Sequence, residues 1–428
     1  MSDTTPEKTG EANTCLSSNR QIPATLPINP WDPSQFPEGG IKAWLVVAVA
    51  LILSLAIGMF QAYYQANQLR DYSSSQVSWI GSLELFMMLA GGIVVGRLYD
   101  SFGPTWILIF GTFFHVFGLM MASLSMNYSQ IILSQGICSP IGISCLFIPA
   151  TTCTTTWFMK KRAFALGIVV TGSSIGGVIF PIMLDHLVVK VGFGWTMRIC
   201  AFAMLILLVF GILTVRSRIP PMPKPFEFGS YYQPFKEAPF VLTTIASFIF
   251  YLGLFLPINY IQVQALSYGV KSSLADNLIP ILNSASIIGR VLPGYVADKF
   301  GRYNTQIVMC IFSGIIVLAL WLPVTSNAGI IIFAALYGLS SGAFVSLIPA
   351  LLAEISDMRE LGLRSGLEFA ILSLPALVSN PIGGALIEYD HGGFLGLQIW
   401  TGIILLAGGV MYIGARSSLV GFKIIIKI

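Results

Sequence analysis

Arg290 lies within an apolar stretch, with Asn283 and Ser286 seven and four residues before it on the same helical face. A guanidinium that deep among apolar neighbours needs a cavity or a partner, and the carboxylate of a solute would serve as one. The competing reading is that Arg290, followed by Pro293 and Gly294, reaches an interface or clamps the turn around Asp298. Glu84 and Glu368 are the other carboxylates inside apolar windows. A carboxyl whose surroundings alternate between dry and wet can take up and release a proton, so both are proton-coupling candidates. His115 reads as a packed helix residue.

Two further groups of polar residues recur. Gln61, Tyr63, Tyr64 and Gln65 close one apolar stretch, and Asn259, Tyr260, Gln262 and Gln264 close another. They could line an entrance and orient a polar solute, or form an interfacial tyrosine belt. The segment GRLYDSFG carries Gly96, Asp100 and Gly103, and GYVADKFG carries Gly294, Asp298 and Gly301. Glycines let two helices approach closely. The aspartates can accept hydrogen bonds from nearby helix starts or pair with basic residues, which would hold one side of the molecule shut.

What must position these residues is a membrane protein. Of 428 residues, 55% are apolar and 10% charged, against roughly 25% charged in soluble domains. Mean hydropathy is +0.80. Apolar windows predict twelve crossings near 43–64, 78–96, 105–125, 130–157, 163–184, 195–215, 240–264, 274–296, 305–323, 329–352, 366–387 and 395–415. On that path 18 of the 23 Lys and Arg fall on one side and Arg70, Lys190 and Lys271 on the other, predicting both ends of the chain in the cytoplasm. Six cysteines without paired spacing give no metal or disulfide framework, and nothing points to a cofactor or to nucleic acid. The partners expected are the lipid bilayer and a small solute, with the chain acting as a monomer.

Asp100 and Asp298 are 198 residues apart, Gly167 and Gly366 199, and Pro149 and Pro349 200. Near-equal offsets predict an internal six-helix repeat. The domains expected are a disordered tail 1–36, a six-helix bundle 37–215, a Pro-rich basic linker 216–239, a second bundle 240–416 and a short tail 417–428. Glycine-rich stripes at 167–177 and 366–384 read as packing and hinge features.

PEGGIKAW (37–44), GRLYDSFGP (96–104), SLIPALLAEISDMRELGLRSG (346–366) and NPIGGAL (380–386) together resemble the major facilitator superfamily, more closely its monocarboxylate-porter-like branch in fungi. The resemblance implies an all-α integral membrane fold of two pseudo-symmetric six-helix bundles, alternating access, and often H+-coupled movement of a small organic acid. Two departures separate this chain from animal lactate carriers. No Lys or Arg falls between Lys42 and Arg70, and Ser286 stands where those carriers have an aspartate one turn before the arginine that Arg290 matches. Fungal relatives include nutrient carriers and exporters encoded beside secondary-metabolite pathways. Export of a small organic metabolite across the plasma membrane is the expectation, with monocarboxylate or vitamin uptake, or solute sensing, as alternatives. An enzyme is not expected.

Overall fold

A computed structural model of the chain describes residues 36–54, 69, 72, 74–223, 225, 227–324 and 326–421. Gln61, Tyr63, Tyr64 and Gln65 lie outside them. The first half contains α1 (Ile41–Ser54), α2 (residues 74–102, jointed at Gly91), α3 (Pro104–Ala122) and α4 (Tyr128–Thr155). A long helical run, Arg162–Thr214, follows and is broken at Gly192, whose φ of 76° only glycine adopts readily. This gives α5 (162–191) and α6 (193–214). The second half contains α7 (Ala238–Ser267), α8 (Ser272–Phe300), α9 (Arg302–Trp321), α10 (Asn327–Glu354), α11 (Leu361–Tyr389) and α12 (Leu395–Val420).

Ten of these are long and apolar enough to cross a membrane; among the described residues α1 is shorter, and α8 carries too many polar groups. On α3 the large side chains Trp106 and Phe113 are 72% and 62% exposed. Such a face is stable in lipid and not in water. The helices also run past the expected apolar windows, because hydropathy measures where lipid lies and a helix continues into its charged last turn. Asp100 and Asp298 therefore sit on the final turns of α2 and α8, and not in the loops. Only Gly103 (φ 75°) and Gly301 (φ 104°) make the reversals. The break between α5 and α6 is likewise narrower than 184–195, since helix persists on both sides of Gly192.

Lys160, Lys161, Arg302 and Arg359 gather with Asp100 and Asp298 where α2, α4, α8 and α10 end, hereafter the basic end. The two halves meet in two equivalent crossings, α2 against α11 and α5 against α8. Glycine makes both possible. A Cβ on Gly96 would lie 2.0 Å from the carbonyl oxygen of Gly362, and one on Gly366 2.1 Å from that of Gly92. In the other crossing, a Cβ on Gly294 would lie 2.6 Å from Ala163 O and one on Gly167 2.3 Å from Arg290 O. Backbone thus touches backbone, as lipid-embedded helices do where small residues line the seam.

Candidate functional site

Beside those crossings the two aspartates cap helices of the opposite half. Asp100 accepts hydrogen bonds from the backbone N–H groups of Gly362 and Leu363 at 3.0 and 2.8 Å, at the start of α11. Asp298 accepts from Ala163 and Phe164 at 3.1 and 2.8 Å, at the start of α5. Each carboxylate satisfies two of the four N–H groups that a helix start leaves open and faces the positive end of its dipole. Arg302 donates to Asp298 at 3.2 Å and to the carbonyl of Met159 at 2.5 Å, and it also pairs with Glu354. The turn at Asp298 is thus held by Arg302, and Arg290 is free of it.

Away from the basic end, a cavity of about 240 Å³ lies between the halves. On α8 it is lined by Ile279, Asn283, Ser286 and Arg290, and on α2 by Glu84, Leu85, Met88 and Leu89. In both helices these residues come before the crossing, with Arg290 at its edge, so the closed contacts form the floor. Most of the remaining wall is apolar or aromatic, including Phe147, Tyr251, Phe255 and Phe369.

Arg290 reaches across the halves to α5, where Nη1 donates to the carbonyl of Val170 and to Ser173 Oγ. Its Nε is buried without a partner. Among the described residues no carboxylate forms a salt bridge with it. A buried cation with spare donors is costly, and an anion in the cavity would offset that cost. Asn283 and Ser286 flank it, against Gly177 and Gly342. Glu84 is buried and lines the cavity from α2.

Glu368 is placed elsewhere. It is fully buried, receives a hydrogen bond from Thr244 on α7, and leaves Oε1 without a partner. Its neighbour Phe369 lines the cavity instead. Asn259 and Tyr260 also stand apart, as both donate to Asn380 on α11, to Oδ1 at 2.6 Å and to the carbonyl at 2.9 Å. They join α7 to α11, and Asn380 Nδ2 goes on to Ser82 Oγ of α2 at 3.3 Å. Sequence reasoning missed Ser173, Tyr251, Arg302 and Glu354, whose types carry no signal until their neighbours are known.

Residues 43–334 match the family model described as Major Facilitator Superfamily. The chain belongs to that superfamily. It is 62% identical over 409 residues to "MFS-type transporter 1" of Ophiocordyceps sp., covering 94% of this chain and 91% of that one. Over 388 residues it is 44% identical to the "Fujikurins efflux protein" of Gibberella fujikuroi, covering 89% and 83%. Among solved structures, the fucose:proton symporter FucP of E. coli superposes with a TM-score of 0.70 at 14% identity, covering 88% of this chain and 98% of that one. The superfamily's fold and the apolar helices make this chain a membrane transporter of small molecules, not an enzyme.

Proposed function

We propose that this transporter is a secondary active exporter of an organic metabolite with one acidic group and an apolar body, of the monocarboxylate-porter-like type. The observation that carries the reading is Arg290, a buried cation with no carboxylate partner among the described residues, set in a cavity whose remaining wall is mostly apolar. An acid head would take the spare donors of Arg290 beside Asn283 and Ser286, while the body lies against Phe147, Phe255 and Phe369. Export is favoured because a relative 44% identical is named an efflux protein.

In this reading all twelve helices cross the plasma membrane in two six-helix bundles joined by the linker 216–239, with the basic end in the cytoplasm. The Asp100 and Asp298 caps and the glycine seams form the inner gate. Opening it breaks the four cap hydrogen bonds, parts the seams and turns the cavity to the other compartment. Glu84, within the cavity, is the nearer proton-coupling candidate. Glu368, inside the second half, would act by changing how α7 packs on α11.

The test compares small metabolites inside and outside cells that carry or lack the protein. An acidic amphiphile should build up inside cells without it. Identical profiles, or build-up outside, would overturn export.

A further inference from the structure

Glu38 and Glu237 stand 199 residues apart, the spacing of the internal repeat, each just before the first helix of its half. Both engage the helix starts that the aspartates cap. Glu38 Oε1 accepts from the backbone N–H groups of Met159 and Lys160 at 2.9 and 2.6 Å, and Oε2 from that of Lys161 at 3.1 Å, just before α5. Glu237 reaches the start of α11 through Arg364, whose Nη2 and Nη1 donate to its two oxygens at 2.6 Å each. Glu38 also holds a left-handed backbone, φ 52°, which non-glycine residues seldom adopt. Three charge-assisted bonds from one carboxylate offset that cost.

We propose that Glu38 and Glu237 are positioning residues for the inner gate: each, from its own half, fixes the helix start that the opposite half's aspartate caps. Glu38 prepares α5 for Asp298, and Glu237 prepares α11 for Asp100. Their contacts lie within one half, so they persist when the cross-half caps break and keep each helix start in shape to dock again. The proposal rests on the gate reading of the two aspartates.

The experiment is amide hydrogen exchange on the full chain in lipid nanodiscs, resolved to single amides. In Glu38→Gln the N–H groups of residues 163 and 164 should exchange about tenfold faster, the effect of weakening one charge-assisted hydrogen bond. In Glu237→Gln the same should hold at 362 and 363, with the interior of α9 unchanged in both. Wild-type rates at those four amides would overturn the proposal, and so would equal acceleration throughout α9. The paired swap Glu237→Arg with Arg364→Glu should return protection at 362 and 363; failure to do so would also count against it. Asp298→Asn and Asp100→Asn, measured alongside, separate the two claims. If they speed exchange while the glutamate variants do not, only the positioning role falls; if they too leave the amides unchanged, the gate reading falls first.

Discussion

Arg290 and Glu368 are both ionisable residues in apolar helices, yet their surroundings differ in kind. Arg290 faces a cavity and has donors to spare, whereas Glu368 is packed within one half against Thr244. Arg290→Gln should lower flux of an anionic solute by about ten- to a hundredfold, the size of a lost charged hydrogen bond, with membrane insertion intact. Vesicle uptake measured against total inserted protein checks this, and unaltered flux would remove Arg290 from binding. Glu84→Gln should abolish solute-linked proton movement, read by a pH dye trapped in the vesicles, if that carboxyl carries the proton. The Glu237–Arg364 pair has its own pH signature. The hydrogen bond from Arg364 holds the Glu237 carboxyl below its ordinary range. The pair therefore contributes stability above the ordinary glutamate pKa and loses it as pH falls through the lowered folded value. Glu237 is 44% exposed, so the effect is small: the pH dependence of the unfolding midpoint below about pH 4.5 should flatten in Glu237→Gln.

At the scale of helices, a repeat can be read in sequence because short turns keep their residues. Gly96, Asp100 and Gly103 recur as Gly294, Asp298 and Gly301 because each trio supplies a seam glycine, a cap and a reversal at the equivalent end of its half. The partners of those residues could not be read. Lipid and protein interior are both apolar, so a membrane helix carries little pattern to say which face meets its neighbour. Glu368 and Phe369 illustrate the loss: about 100° of helical rotation separates a group inside one half from a group in the cavity. The glycine seams turn this into a prediction. Gly96→Ala would place a methyl 2.0 Å from Gly362 O, so α2 and α11 must part. Labelling of the floor with a membrane-impermeant maleimide from the basic end should rise severalfold. Gly414→Ala, with nothing within 4 Å, should instead leave labelling unchanged and stabilise α12 by up to about 1 kcal/mol. Equal labelling of the two variants would show that the seam is not the barrier.

For the molecule as a whole, the two-half architecture was legible from composition, charge bias and offsets, while the cavity and its floor emerged only once helices were paired in space. The charge bias makes a direct prediction: cysteines placed at Lys236 and Lys271 should label from opposite sides of the membrane, and labelling from one side would undo the topology. The segment between the halves limits their movement. Arg97 donates to the carbonyl of Pro225 at 2.7 Å, Arg218 Nε to that of Thr156 at 3.0 Å, and Tyr231 to that of Ile93 at 3.4 Å. The long strap is thus fastened to the first half almost along its length, and the second half takes hold at Glu237. Between Tyr231 and Glu237 only six residue steps are left as slack, about 20 Å when drawn taut. Under the proposed alternating access, any rocking at that corner would meet a stop at this span, and travelling further would require peeling Tyr231 from α2 first.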